Sequence, residues 1–164
     1  VILEKTARRN LREFIMSRWW IDEPVFVGSS NPTTDELKDL FQLGFRTIAS
    51  LLDESEQLPN YDLDEAEAMG FARVSVPIRD FTAPTQNQLS QFLNAVNKAL
   101  DKGKVIMHCQ GGSGRTGTMG AAYWIGKGLS ANEAIGRVQK SRPHAVETKE
   151  QGDSLKALEK SLRP

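Results

Sequence analysis

Gly103 to Ile125 is the most constraining stretch of this chain. A short apolar run, Val105-Ile106-Met107, passes through a glycine-rich loop into a longer apolar run that starts at Gly117. The first run has strand length, and the second continues long enough for a helix. A buried strand that turns into a helix across a loop this tight belongs in an α/β fold.

The rest of the chain repeats that alternation. Leu3, Ala7, Leu11, Phe14 and Ile15 share one face of a helix over about residues 3–16, with Lys5, Arg8, Arg9 and Arg12 on its other faces. Its apolar face should pack on the domain. Trp19 to Ile21 and Val25 to Val27 read as strands around Asp22-Glu23-Pro24. Thr33-Thr34-Asp35-Glu36 is a capping box for a helix closed by Gly44.

Phe45 to Leu52 and Phe71 to Val76 read as strands, with a helix over Leu63 to Met69 between them. Thr85-Gln86-Asn87-Gln88 opens a long helix that ends at Gly103, and the helix after the glycine loop reaches about Gly128. Ser130-Ala131-Asn132-Glu133 caps another helix, which Pro143 terminates, and Thr148-Lys149-Glu150-Gln151 begins the last. The expected fold is a central, largely parallel sheet with helices on both faces. At 164 residues, 1–164 is most simply a single domain.

Lys+Arg and Asp+Glu balance at 21 each, so bulk charge suggests no nucleic-acid partner. No apolar run approaches the ~18 residues of a membrane span. The one cysteine excludes an internal disulfide and fits a reducing compartment, so a cytoplasmic location is expected. No group of His, Cys and carboxylates stands at metal-ligand spacing, so neither metal nor cofactor is expected. Oligomeric state is left open.

The loop itself, His108-Cys109-Gln110-Gly111-Gly112-Ser113-Gly114-Arg115-Thr116-Gly117, places chemistry at that turn. Successive backbone N–H groups of a glycine-rich turn form a concavity that suits an anion, and the helix N-terminus adds positive potential. Gln110, Gly111, Gly112, Ser113 and Gly114 therefore make a phosphate cup. Arg115, at its lip, can grip two phosphate oxygens through its planar fork. The field that attracts phosphate also favours Cys109 as a thiolate nucleophile. Thr116 can donate its hydroxyl to that sulfur. His108 is expected to support the loop, since a thiolate already formed needs no base.

H-C-x-x-G-x-x-R-T-G resembles the phosphate-binding loop of the cysteine-dependent protein tyrosine phosphatases. Val76-Pro77-Ile78-Arg79-Asp80-Phe81-Thr82-Ala83-Pro84 is similar to the mobile acid loop of the small atypical dual-specificity members. Ser141 to Gln151 resembles the segment that helps place the hydrolytic water. The resemblance, from about Val25 onward, implies a phosphatase-like fold and a phosphocysteine intermediate. It makes Asp80 the general acid and Gln151 an orienter of water, with Glu147 nearby. Asp53 and Glu54 compete with Asp80 and are expected to form a charged rim or to have no role.

Nothing resembles the long phosphotyrosine-recognition segment of the larger tyrosine-specific enzymes. The resemblance thus implies phosphorylated proteins as partners, with phosphoserine and phosphothreonine accepted beside phosphotyrosine. Uncharged Gln110, Gly111 and Ser113 weaken the case for polyanionic inositol lipids. RNA 5′-phosphates, small phosphate esters and a non-catalytic phosphate-binding module are the alternatives.

Overall fold

In the computed structural model, residues 18–164 are described. The helix expected over residues 3–16 lies outside them. The strands are β1 (Arg18–Asp22), β2 (Phe26–Ser29), β3 (Phe45–Leu52), β4 (Ala72–Ile78) and β5 (Lys104–His108). The helices are α1 (Thr34–Gln42), α2 (Leu63–Met69), α3 (Gln86–Leu100), α4 (Gly114–Gly126), α5 (Ala131–Ser141) and α6 (Lys149–Leu162).

The strands form one sheet in the order β1-β2-β5-β3-β4. β2, β5, β3 and β4 run parallel, and β1 closes one edge antiparallel to β2. The sheet is covered on both faces, as expected from strands separated by helices. Val105 and Met107 of β5 join a core with Leu89 and Phe92 of α3, Met119 of α4, Val138 of α5 and Leu155 of α6. Ile106, pointing the other way, packs with Leu37 and Leu40 of α1, Ala66 of α2 and Phe71. α4 is buried nearly throughout, which explains why its sequence shows no polar stripe.

Element ends follow local chemistry. Thr85, Ser130 and Thr148 close complete capping boxes with Gln88, Glu133 and Gln151. The box expected at Thr33 forms only by half. Thr33 accepts from the Glu36 backbone N–H, but the Glu36 carboxylate turns instead to Arg18, at 2.8 Å. That guanidinium is a charged partner, which a single backbone amide does not match.

Register places the functional loops together. Ser29 of β2 and Ser50 of β3 both lie opposite His108 of β5, and Ser50 also pairs with Ser75 of β4. The loops after these four parallel strands therefore leave the same end of the sheet, where open α/β sheets bind ligands. Cys109, Asp53 and Asp80 all follow that rim.

Candidate active site

Cys109 leaves the end of β5 and is 3% exposed. Its Sγ accepts two hydrogen bonds, from the Gly112 backbone N–H at 3.2 Å and from Thr116 Oγ1 at 3.0 Å. Both bonds aim a donor hydrogen at the sulfur. Gly112 makes this possible because its φ is +75°. A side chain there would also meet Ser30 N at 2.5 Å, so the loop closes only over a glycine. Packing fixes the loop from outside as well. The Trp19 indole N–H donates to Gly112 O at 2.8 Å, and Asn31 Nδ2 donates to Gln110 Oε1 at 3.0 Å.

α4 begins at Gly114, and its N-cap residue Ser113 makes no side-chain cap bond. Ser113 Oγ accepts from Arg142 Nε instead, at 2.9 Å. The first-turn amides of α4 are thus left to face the cup with the positive end of the helix dipole. Arg142 also donates to Gly111 O at 3.2 Å, pinning the cup's outer wall to the end of α5.

Arg115 differs from the sequence expectation in one respect. It is not at the lip but 2% exposed, with its guanidinium drawn inward. Nη1 donates to Ile78 O at the end of β4, at 3.0 Å, and Nη2 donates to Gln57 Oε1 at 2.8 Å. Nη2 also lies 3.3 Å from Asp80 Oδ1. Nε is buried and has no hydrogen-bond partner among the described residues. A buried guanidinium N–H without an acceptor is costly, and the phosphate cup beside it is where an acceptor oxygen would sit.

Asp80 and Arg115 thus lie against one another, with the acid loop folded over the cup. Glu56 holds this loop from one side, accepting from Arg79 Nε at 3.0 Å and from the Asp80 backbone N–H at 3.1 Å. Gln151 holds it from the other, donating to Thr82 O at 3.2 Å. The Gln151 side-chain oxygen accepts from the Glu147 and Thr148 backbone N–H groups at 2.8 and 3.2 Å. Both ends of that buried amide are therefore occupied in this conformation.

The competing carboxylates are engaged elsewhere. Asp53 Oδ1 accepts from Ser55 Oγ at 2.6 Å and Ser55 N at 3.0 Å, which holds its carboxyl below the usual range. Glu54 pairs with Arg73 at 2.6 Å. His144 is exposed, whereas His108 is fully buried.

His108 supports the loop through a directed chain. Its Nδ1 lies 3.3 Å from Cys109 O, which can only accept, so Nδ1 carries the proton. Nε2 then accepts from Tyr61 Oη at 2.9 Å, and Tyr61 Oη accepts from Arg73 Nε at 3.4 Å. Burial pushes the imidazole down to about 4 and the Tyr61 phenol upward. A neutral His108 fits a structural residue, not a base.

Among the described residues, no group of three or more His, Cys, Asp or Glu side chains could hold a metal ion. No described helix is long and apolar enough to cross a membrane.

Residues 25–129, which contain both the cup and the acid loop, match the family described as "Polymorphic toxin system, DSP-PTPase phosphatase". The chain belongs to this phosphatase family. The sequence resemblance to the cysteine-dependent tyrosine phosphatases, small atypical dual-specificity type, is thereby borne out. The phosphatase is 36% identical over 89 residues to the tyrosine-protein phosphatase cdc-14 of Caenorhabditis elegans, covering 53% of this chain and 12% of that protein. It is 33% identical over 88 residues to CDC14 of Candida albicans, covering 52% and 16%. The match thus spans under a fifth of these curated relatives' length.

The crystal structure of Tk-PTP in its active form superposes with a TM-score of 0.80 at 40% identity, over 88% of this phosphatase and 97% of that chain. PTPMT1 in complex with PI(5)P gives 0.78 at 23% identity, over 88% and 96%, a likeness in fold alone.

Three features of the site escaped the sequence. Gln57 is uncharged and sits in a segment without a motif. Trp19 and Asn31 reach the cup from strand β1 and the loop after β2, 93 and 79 positions from their partners. Pattern reading along the chain carries no signal for contacts at that range.

Proposed function

We propose that this phosphatase hydrolyses phosphotyrosine, and phosphoserine and phosphothreonine beside it, in phosphorylated proteins. The observation that carries this is the unpartnered Nε of buried Arg115 beside a sulfur that accepts from Gly112 and Thr116. A sulfur nucleophile held by two donors and a buried guanidinium with a spare N–H, both supplied by one glycine-rich loop, suit a phosphoryl group.

In the first step Cys109 Sγ attacks phosphorus, the P–O bond to the leaving group breaks, and Asp80 gives its proton to the departing oxygen. A phenolate of pKa about 10 is a poor leaving group, so this proton matters most for tyrosine esters. The amides of Gln110 to Gly114 and the Arg115 fork stabilise the charge on the equatorial oxygens. In the second step Asp80 takes a proton from water, the hydroxide oxygen attacks phosphocysteine, and the S–P bond breaks. Thr116 stabilises the departing thiolate. Gln151, once released from Thr82, would orient that water.

Phe81 supports the aromatic substrate. It stands directly after Asp80, is 66% exposed, and is held at a φ of 59°. A flat apolar side chain at the mouth of a phosphate cup is suited to a phenyl ring. A reducing compartment such as the cytoplasm fits a nucleophile that has no second cysteine to protect it.

The test is hydrolysis of p-nitrophenyl phosphate, expected to be insensitive to EDTA, blocked by vanadate and abolished in Cys109→Ser. Activity surviving that substitution overturns the mechanism. Phosphopeptides assayed beside phosphoinositides and 5′-phosphorylated RNA decide the substrate class, and turnover of the peptides alone is expected.

A further inference from the structure

Gln57 lies between the two charged groups of the site. Its Oε1 accepts from Arg115 Nη2 at 2.8 Å, and its Nε2 donates to Asp80 Oδ2 at 3.2 Å. The amide orientation follows from its neighbours. Reversed, it would set an NH2 against a guanidinium and a carbonyl against a carboxylate, both repulsive. A neutral side chain with one acceptor and one donor is what this gap requires. Glutamate would satisfy only the arginine, and lysine only the aspartate.

The loop that carries Gln57 is itself firmly built. Asp53 Oδ1 closes a turn on Ser55, and Asp53 O accepts from the Glu56 and Gln57 backbone N–H groups at 2.9 and 3.0 Å. Glu56 beside it grips the acid loop through Arg79 Nε and the Asp80 N–H. Gln57 is half-buried there, with its amide already oriented.

We propose that Gln57 is the positioning residue for the general acid: it keeps Asp80 over the cup when the substrate takes Arg115 away from it. Arg115 Nη2 is shared between Gln57 and Asp80 Oδ1, whereas Oδ2 is held by Gln57. An arriving phosphoryl group competes for the guanidinium and displaces Oδ1, the more distant of the two acceptors at Nη2 and a like charge to the phosphate. The tether through Oδ2 remains. Oδ1 keeps its own local donor, the Phe81 backbone N–H at 3.0 Å, so the carboxyl is held at both oxygens after Arg115 leaves. Gln57 thus sets where Asp80 stands.

This inference rests on the phosphatase mechanism above, and the test separates the two. Rates are measured on a series of aryl phosphates whose phenols span pKa values from about 7 to 10. Wild type should show a shallow dependence on leaving-group basicity. Gln57→Met, equal in length and without polar atoms, should lose roughly 10–100-fold on phenyl phosphate and only a few-fold on p-nitrophenyl phosphate, part of the 10²–10⁴-fold range of general acid catalysis. Gln57→Glu keeps the contact to Arg115 and sets a like charge beside Asp80, so the alkaline limb of its kcat/KM profile should move to higher pH.

Equal losses on all esters, or a slope matching wild type, overturn the positioning role. So does a Gln57→Glu profile that superimposes on wild type, which stands as the check should Gln57→Met fail to fold. A wild-type enzyme without aryl phosphatase activity would instead remove the parent mechanism.

Discussion

Thr116 Oγ1 donates to Cys109 Sγ across 3.0 Å, from the first turn of α4 to the end of β5. In the two-step mechanism proposed above, the bond would serve the sulfur differently in each step. Before attack it lowers the nucleophile's energy, which gains nothing for the first step. When phosphocysteine breaks down, the same bond stabilises the thiolate as it leaves. Thr116→Ala should therefore slow the second step more than the first. The expected result is a burst of nitrophenol near one equivalent, followed by a steady state reduced by about 10²–10³-fold, the range for losing one such donor. A linear time course without a burst would show that the hydroxyl has no such role.

Gly112 concentrates several constraints at one backbone position. Its N–H donates to Cys109 Sγ, its carbonyl accepts from Trp19 Nε1, and its φ of +75° sits against the Ser29–Ser30 backbone. Gly112→Ala should break the cup by forcing this turn outward. Vanadate affinity and kcat are expected to fall together by at least about 100-fold, with a stability loss of about 1–3 kcal/mol from the strained φ. Calorimetry and vanadate titration on the purified variant check both. Trp19→Phe is the milder companion, since it removes only the N–H and leaves Gly112 O unpaired, at a cost of about 1–3 kcal/mol.

The cup was legible because its chemistry is contiguous. Cys109, the glycines, Arg115 and Thr116 fall within eight positions, between a strand and a helix whose lengths identify them. The largely parallel sheet with helices on both faces followed from strands separated by helices, while its strand order came only with the structure. Asp80 was singled out by the resemblance, and the parallel sheet brings the loop that carries it to the same rim as Cys109. Contacts that depend on side-chain reach across that rim were not legible. Arg115 was expected at the lip, but the carbonyl of Ile78 and the amide of Gln57 draw it under the acid loop. Glu36 has the spacing of a capping box, yet Arg18, 18 positions away, takes its carboxylate. In each case a charged side chain found its partner far along the chain, at a distance where sequence spacing carries no signal.

Asp80 and Asp53 stand at the ends of neighbouring strands, and only one of them faces the arginine. Asp80→Asn should lower kcat on phenyl phosphate by about 10²–10⁴-fold and flatten the alkaline limb of the pH profile. Asp53→Asn keeps an oxygen that can still accept from Ser55, so its loop and its kcat should persist. Parallel pH profiles of the two variants decide the assignment. A collapse in Asp53→Asn with Asp80→Asn near wild type would transfer the acid role to the loop after β3.

His108 makes the stability of the domain depend on pH in a predictable direction. Burial depresses its imidazole to about 4 from an ordinary value of 6.5, so the folded state holds the neutral ring where the unfolded chain begins to bind a proton. Between those two values the unfolded state carries more protons, and stability must fall as pH falls. The contribution is fully present above about pH 6.5 and lost below about pH 4, and it amounts to roughly 3 kcal/mol for a gap of this size. Replacing the ring with an amide, His108→Asn, removes the titrating group. The variant should be less stable than wild type at pH 7, because the bonds to Tyr61 and Cys109 O are disturbed. Its urea midpoint should change less than that of wild type between pH 7 and pH 4.5. The comparison is of slopes, so acidic groups elsewhere in the chain, common to both proteins, cancel. Equal slopes would mean that the imidazole is solvated enough to titrate normally, and the directed chain from Arg73 through Tyr61 to the nucleophile's carbonyl would lose its tautomer.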